Sequence, residues 1–221
     1  MCGRFALATE KHILEMLYDL ELREDFRPRY NIAPSQEILA VRISPRHGHK
    51  ELVPLKWGLV PFWAEDETIG SRMINARAET AAEKPSFRDA YQKRRVLIPA
   101  SGFFEWKKEE GGKQPYYIYP QNNRPFSLAG LWERWEKGEP PLETCTILTT
   151  EPNPLVADLH NRMPVIIAPE SFDLWLDPQT DPADLSGLIA PYPAEEMAFH
   201  PVSRRVNYPA NDSEDLIRPL E

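Results

Sequence analysis

The sequence predicts an α+β fold in which a mostly antiparallel, partly closed β-sheet forms the body of one domain. Proline accounts for 23 of the 221 residues, about twice the usual ~5%, and proline favours turns and short elements over long helices. Strand-like segments outnumber helical ones, so helices cannot alternate with strands as parallel α/β winding requires. No shift in composition marks a boundary, and we expect a single domain over residues 1–221.

Hydrophobic spacing predicts the individual elements. Apolar residues recur at the helical period between residues 10 and 20, which predicts the first helix. The charged, proline-containing segment 21–37 is typical of a loop. Alternating or continuous apolar runs predict strands at 38–43, 51–60, 73–79, 96–100, 102–107, 115–120, 126–132, 145–150, 164–169 and 200–207. Short helices are predicted at 86–94, 153–162 and 171–176.

Composition excludes several classes of protein. The hydrophobic share of 42% and the charged share of 27% are ordinary for a globular domain and argue against disorder. No apolar run approaches the ~18 residues of a membrane span, and the first residues lack the pattern of a signal peptide. We therefore expect a cytoplasmic protein that binds no membrane. Two cysteines, without a C-x-x-C motif or a His pair, predict neither a disulfide framework nor a metal site.

The charge is distributed unevenly along the chain. The net charge of −8 argues weakly against a nucleic-acid partner when the chain is taken as a whole. The segment 71–108, however, holds nine Lys or Arg residues against four Asp or Glu residues. An anionic partner is therefore expected to bind the amino-terminal half.

Cys2 is the first candidate for chemistry. A small residue after an initiator methionine is the usual condition for removal of that methionine, and removal would leave Cys2 with a free α-amine beside its thiol. An α-amine has a pKa of about 7.7–8.0, far below the ~10.4 of lysine, so part of it is neutral at pH 7 and can form a Schiff base. The thiol can then close a five-membered thiazolidine ring on a captured aldehyde. The alternative is that Cys2 is only a small residue near a terminus.

Three polar residues lie in patterns that suit acid–base chemistry. In a strand, Glu105 shares a face with Phe103, and a carboxylate desolvated among aromatic side chains acquires a raised pKa. Asn75 shares a face with Arg77 by the same alternation and can orient a reacting oxygen. His160 lies near a predicted helix end, where cationic imidazole is favoured. The alternatives are a solvated strand glutamate for Glu105 and a structural histidine for His160.

Aromatic and basic residues suggest contacts with nucleic acid. Trp63 lies in a loop interrupted by glycine and proline, where it can stack on a splayed base. Arg4, Arg77 and Arg88 are candidates for contacts with the phosphate backbone.

Other conspicuous residues are expected to be structural. Buried packing is expected for Cys145 and for most tryptophans, namely Trp57, Trp132, Trp135 and Trp175. Arg94 and Arg95 are expected only to form a solvated helix end.

Taken together, these residues identify a family. The chain resembles the SOS-response-associated peptidase family, the abasic-site processing proteins that crosslink to damaged single-stranded DNA. Each matching segment is weak alone, but together they span nearly the whole chain in the family's order. The segments are MCGRF (1–5), RYNIAPSQ (29–36), WGLVPFW (57–63), INARAET (74–80), GFFEWKK (102–108), LHNRMPVII (159–167) and HPVSRRVN (200–207).

The resemblance implies both a fold and a set of functional residues. The fold is a single compact domain built on a β pseudo-barrel with short peripheral helices, acting without a cofactor. Cys2, once Met1 is removed, bonds to the ring-opened sugar of an abasic site. The implied active site consists of Cys2, Asn75, Glu105 and His160, and the implied DNA contacts are Arg4, Trp63, Arg77, Arg88 and Arg162. Some members carry a second tryptophan beside Trp63, where this chain has Ala64.

The leading functional hypothesis is a DNA-repair factor of the SOS response that shields abasic sites in single-stranded DNA and acts as a monomer. The family's peptidase activity would remove residues ahead of the cysteine, and here only Met1 precedes it. One alternative is a peptidase or amidase with Cys2 as nucleophile and His160 as base. Another is a DNA-binding module without chemistry, which would bind in a salt-sensitive manner and form no adduct.

Overall fold

The computed structural model describes residues 2–122 and 124–220. Its strands, numbered in chain order, are β1 (Phe5–Leu7), β2 (Arg29–Ile32), β3 (Glu37–Ile43), β4 (Lys50–Trp57), β5 (Asn75–Arg77), β6 (Arg95–Ala100), β7 (Gly102–Glu109), β8 (Gly112–Pro120), β9 (Phe126–Trp135), β10 (Leu142–Thr150), β11 (Met163–Pro164) and β12 (Met197–Pro201). Its α-helices are α1 (Lys11–Tyr18), α2 (Ala78–Ala81), α3 (Arg88–Lys93), α4 (Pro154–Ala157) and α5 (Phe172–Leu176). The helices are short, as the high proline content predicts.

Five strands close into a barrel. β3 pairs with β4 and β6, β6 pairs with β9, and β9 pairs with β10, all antiparallel. β10 then returns to β4 in a parallel pairing, which closes the ring. The predicted α+β class and the mostly antiparallel β pseudo-barrel are confirmed, and the sheet that was expected to be partly closed forms a complete ring. Among the described residues, no helix is long and apolar enough to cross a membrane.

One edge of β10 is shared by two strands. β4 pairs with Thr144 and Cys145, and β5 pairs with residues 147–149 further along β10. Since β9 covers residues 142–147 of β10 from the other side, β4 and β5 lie on the same edge. β5 therefore continues the line of β4, which carries Asn75 beyond the end of β4 at Trp57.

A second, antiparallel sheet has the strand order β12-β8-β7-β1-β2. β1 lies between β7 and β2, with Phe5 opposite both Phe103 and Ile32. The residues just before β1 are therefore placed alongside β7. The side chains of β7 alternate as predicted, with Phe103 in the main core and Phe104 in a smaller core that Trp106 partly covers.

The core fixes where β1, β4 and β5 meet. Trp57 is fully buried, packs edge-to-face on Phe5 at a centroid distance of 5.3 Å, and donates its indole N–H to the carbonyl of Ile74 at 2.8 Å. Such an aromatic pair adds about 0.5–1.5 kcal/mol beyond the area it buries. Burial is also confirmed for the other residues assigned to packing, which are Trp132, Trp135, Cys145 and Trp175.

Several local predictions are wrong. The segment 21–37 contains β2, which is held at long range because the Asn31 side-chain amide donates to the carbonyls of Val206, Tyr208 and Asn211. The final strand is β12, so most of the predicted strand 200–207 is not a strand, and its end forms a short 3₁₀ turn. The predicted helix 153–162 shortens to the single turn of α4.

Arg94 and Arg95 do not form a solvated helix end. Arg95 is 2% exposed and donates to the backbone carbonyls of Tyr91, Gln92 and Trp175. Arg94 is paired with the carboxylate of Glu133 at 2.7 Å. The Arg95 side chain turns inward because α3 leads directly into the barrel strand β6 and the last carbonyls of α3 accept from its guanidinium, whereas the Arg94 side chain is drawn to Glu133 on β9.

Candidate active site

Cys2 lies at the junction of the barrel and the second sheet. It precedes β1, is fully buried, and belongs to the main core. The Asn75 side-chain amide donates to the carbonyl of Cys2 at 3.0 Å and to the carbonyl of Ile74 at 2.9 Å. The continuation of β4 by β5 thus brings together two residues that are 73 positions apart, and Asn75 anchors the backbone of Cys2.

Glu105 occupies the middle of β7 and is 3% exposed. Its neighbours on the strand are Phe104 and Trp106, and Tyr116 of β8 lies opposite. Burial raises the pKa of the Glu105 carboxyl from 4.5 to about 7. The raised pKa that the aromatic surroundings predict therefore agrees with the structure, and the carboxyl can either give or take a proton near neutral pH.

The electrostatics of Cys2 and Glu105 are linked. Burial raises the pKa of the Cys2 thiol well above its ordinary value, and the charge of Glu105 raises it further. The thiol therefore stays protonated at neutral pH, unlike the thiolates of cysteines that lie beside cationic groups. A reaction at sulfur would need a nearby proton acceptor, and the Glu105 carboxyl lies within electrostatic reach.

His160 follows α4 and is held by the backbone around it. Its amide donates to the carbonyl of Val156 at 2.9 Å, and its ring Nδ1 lies 3.0 Å from the amide nitrogen of Arg162. The same Nδ1 lies 3.1 Å from the carbonyl oxygen of Arg162, so the backbone of Arg162 fixes the position of this side of the ring. Burial lowers the pKa of His160, and the positive charge of Lys113 on β8 lowers it further.

Arg162 links the segment around His160 to α2 and β10. Its guanidinium makes two hydrogen bonds to the carboxylate of Glu79, at 2.7 and 2.8 Å, and a third to the carbonyl of Thr149. Glu79 lies in α2, directly after the strand that carries Asn75. A two-bond arginine–carboxylate pair fixes geometry as well as charge. The Arg162 side chain is 17% exposed and its guanidinium is engaged by protein groups, next to the backbone that holds His160.

Arg4 is also engaged inside the protein. Its Nη1 donates to Asn31 Oδ1 at 2.7 Å and to the carbonyl of Val206 at 2.6 Å. The guanidinium lies 5.9 Å from the centre of the Trp106 ring. These contacts join β1 to β2 and to the 3₁₀ turn near residue 206, so the contacts of Arg4 in the structure support the fold.

The remaining predicted DNA contacts lie at the surface. Arg77 is exposed at the end of β5, two residues from Asn75, and Arg88 forms a surface ion pair with Asp89 at 3.1 Å. Trp63 is 43% exposed, and Phe62 beside it is 50% exposed. Two neighbouring exposed aromatic side chains provide a surface on which bases can stack.

Sequence reasoning missed Glu79 and Phe62. Glu79 lies in the INARAET segment, four residues after Asn75, and its spacing alone gives no sign of its pairing with Arg162, 83 positions away. Phe62 could have been found from its place in the same loop as Trp63. Among the described residues, no group of three or more His, Cys, Asp or Glu is placed to hold a metal ion.

Comparison with known proteins decides the family. The sequence profile of the SOS response associated peptidase family matches residues 1–209. The chain belongs to this family. Abasic site processing protein YoqW of Bacillus subtilis is 48% identical over 223 residues, which cover 98% of this chain and 99% of that protein. Abasic site processing protein YedK of Escherichia coli is 34% identical, with full coverage of both chains.

A solved structure of similar fold comes from a third organism. A crystal structure of a protein from Bacteroides thetaiotaomicron superposes with a TM-score of 0.88 and 28% sequence identity, and all of both chains is covered. The whole-chain match agrees with the barrel and second sheet described here.

Proposed function

We propose that this member of the family processes abasic sites in single-stranded DNA by forming a covalent bond between Cys2 and the sugar. The observation that carries the proposal is the buried placement of Cys2 within electrostatic reach of Glu105, whose pKa is raised to about 7. The names of the relatives support abasic site processing as the general function. The expected removal of Met1, which the reaction needs, concerns a residue outside the described part of the chain.

The proposed reaction uses both nucleophiles of Cys2. The α-amine nitrogen adds to the aldehyde carbon of the ring-opened sugar and gives a carbinolamine. Loss of one water gives an imine, the sulfur adds to the imine carbon, and the thiol proton passes to nitrogen. The product is a thiazolidine, formed with release of one water and no change in oxidation state. Conversion of the aldehyde removes the group that drives strand cleavage at a bare abasic site.

The other site residues divide the proton transfers. Glu105 accepts a proton from the ammonium or thiol of Cys2 and returns it to the departing water, which suits a carboxyl whose pKa lies near neutral. His160 acts on the sugar, where ring opening needs a proton at the ring oxygen. The side-chain amide of Asn75 donates to the carbonyl of Cys2 at 3.0 Å and so keeps the reacting atoms of Cys2 in place.

Single-stranded DNA is the proposed partner. In a duplex, stacking hides the sugar aldehyde, whereas an unpaired strand can offer a base to the exposed rings of Phe62 and Trp63. Arg77 lies two residues from Asn75 and is exposed, and its proposed role is to contact a phosphate near the reacting sugar. We propose that the protein acts as a monomer in the cytoplasm.

The family description favours a second candidate, a peptidase or amidase with Cys2 as nucleophile and His160 as base. Burial and Glu105 raise the pKa of the Cys2 thiol, whereas a peptidase nucleophile works as a thiolate of lowered pKa. The two candidates also differ in stoichiometry. Crosslinking consumes one protein per abasic site, while peptide cleavage turns over.

A denaturing gel tests the proposal. The protein is incubated with a single-stranded oligonucleotide that carries one abasic site, and the adduct is measured after boiling in detergent. We expect an adduct with the native chain and with Cys145→Ala, the matched control, because Cys145 is equally buried but lies in β10. Cys2→Ala should form only an imine that hydrolyses unless borohydride traps it. Equal boiling-resistant yields from both variants would contradict the proposal.

A further inference from the structure

A second concave site lies on the barrel, away from Cys2. Its volume is 970 Å³, within the usual range of small-molecule sites. It is lined by the turn between β3 and β4 and by residues of β6, β9 and β10. Glu51 at its edge and Trp57 near Asn75 are six residues apart on β4, which corresponds to roughly 20 Å of strand. The cavity is therefore distinct from the candidate active site.

The lining of this cavity is basic, although the chain as a whole is acidic. It contains the side chains of six basic residues and three glutamates, in a protein of net charge −8. The six basic residues are Arg42, Arg46, Lys93, Arg94, Arg95 and Arg134. A cleft lined mainly by one sign of charge concentrates field lines and attracts ions of the opposite sign.

Arg42 is the centre of the cluster. Its side chain is 7% exposed, and its guanidinium lies 4.1 Å from the ring of Trp132. Two of its nitrogens bind carboxylates, Nε to Glu51 at 2.7 Å and Nη2 to Glu143 at 3.1 Å. The third nitrogen, Nη1, is buried and has no hydrogen-bond partner among the described residues. A buried, unsatisfied N–H costs about 1–3 kcal/mol unless a ligand accepts from it.

Further donors surround Arg42. Arg94 Nε is also buried without a hydrogen-bond partner in the described part of the chain. Arg95 is 2% exposed and is bound by backbone carbonyls, so its charge has no carboxylate in direct contact among the residues that the structure describes. At the rim, Arg46 and Lys93 are exposed and make no ion pair within residues 2–122 and 124–220.

We propose that this cavity binds a phosphate group. Arginine donors in a fork match the oxygens of phosphate. The lining combines Arg42 and Arg94, each with one buried N–H that has no partner among the described residues, with the rim cations of Arg46 and Lys93. The phosphate can come from a free phosphate or mononucleotide, or from the backbone of a nucleic-acid strand. The chemistry recognised is the same in both cases.

Calorimetric titration of the full chain tests the proposal, with inorganic phosphate, a deoxynucleoside monophosphate and an undamaged single-stranded oligonucleotide as probes at constant ionic strength. The variant is Arg46→Gln with Lys93→Gln, which removes two exposed charges and spares the core. The matched control is Arg23→Gln with Arg27→Gln, which changes the net charge equally at exposed positions outside the cavity. Cys2→Ala is included to separate this site from the proposed crosslinking.

We expect the native chain, the control and Cys2→Ala to bind phosphate with millimolar or tighter affinity. The cavity variant should bind at least about tenfold more weakly. An equal loss for the oligonucleotide assigns the phosphate to a nucleic-acid strand, and a loss confined to the small probes assigns it to a free ligand. No binding of any probe, or equal affinities for the cavity variant and its control, would overturn the proposal, whatever the outcome of the crosslinking assay.

Discussion

Two glutamates are buried to nearly the same degree in different surroundings. Glu105 on β7 is 3% exposed and Glu133 on β9 is 5% exposed. Burial raises the pKa of both carboxyls, but at Glu133 the charge of Arg94, 2.7 Å away, opposes the rise. At Glu105 the pKa rises to about 7. One buried carboxyl therefore lies in an ion pair with an arginine, while the other has a pKa of about 7 and can change protonation at neutral pH.

Strand pairing explains the difference. β6 pairs with β9, and Trp132 donates its backbone N–H to the carbonyl of Arg94 at 2.9 Å, which places the arginine beside Glu133. Around Glu105, the paired residue on β8 is Tyr116. The fold therefore places an arginine 2.7 Å from the carboxylate within the barrel, while burial raises the pKa of the Glu105 carboxyl to about 7.

The largest expected effect is on the rate of adduct formation, which should depend on Glu105 and not on Glu133. Glu105→Gln should slow adduct formation by roughly 10²–10⁴-fold, the usual contribution of one acid–base group. Glu133→Gln should leave the rate unchanged but lower stability, because it removes the partner of Arg94. Both quantities are measured on both variants, by single-turnover gel kinetics and by denaturant unfolding. A similar loss of rate in both variants would show that the two carboxylates do not differ in function.

Substitutions of His160 and Glu105 should differ in the substrates on which they slow crosslinking. His160→Ala should slow crosslinking by about 10²-fold on closed-ring abasic DNA but much less on a simple open aldehyde, which needs no ring opening. Glu105→Gln should slow both reactions. The measurement is a time course of each variant on each substrate. If His160→Ala loses the same factor on both, the imidazole only positions Cys2 and does not act on the sugar.

The free energy of unfolding should depend on pH through Glu105. Because the folded pKa of Glu105 is raised from 4.5 to about 7, the folded chain keeps a proton that the unfolded chain releases. The free energy of unfolding should therefore fall as pH rises from about 4.5 to 7, by on the order of 3 kcal/mol from this group. Glu105→Gln should remove that fall and exceed the native stability at pH 8, whereas Glu133→Gln should retain it. Parallel stability curves for the native chain and Glu105→Gln would contradict the assigned pKa.

The smallest expected effect is a change in the salt dependence of DNA binding, which should differ between two arginines predicted to contact DNA. Arg77 is exposed, whereas Arg162 is held by Glu79 and Thr149. Arg77→Ala should reduce the slope of log affinity against log salt by about 0.7, the value for one phosphate contact to a single strand. Arg162→Ala should leave that slope unchanged and reduce the crosslinking rate by disturbing the backbone that holds His160. The measurement is binding to undamaged single strands over a range of salt concentrations, and an unchanged slope for Arg77→Ala would assign that residue to the fold.

Sequence reasoning succeeds where short-range patterns determine the structure. The alternation of GFFEW places Glu105 and Phe103 on one face, and the closed antiparallel sheet follows from the density of short strands. Sequence reasoning fails where contacts between residues far apart in the chain determine the local structure. β2 is predicted as a loop because its support comes from Asn31 contacting carbonyls 175 to 180 positions away. The pairing of Arg162 with Glu79 and the burial of Arg95 likewise depend on segments that the chain brings together only on folding.

The proposed reaction bonds both the nitrogen and the sulfur of Cys2 to the sugar. Peptide mapping of the adduct by mass spectrometry, with and without borohydride, tests for both bonds. We predict one modified peptide, which begins at Cys2 and carries the sugar with the loss of one water, and whose mass does not change on reduction. A gain of two hydrogens on reduction would show an imine without a bond to sulfur. Modification of a lysine, or of a peptide that still carries Met1, would contradict the proposed reaction.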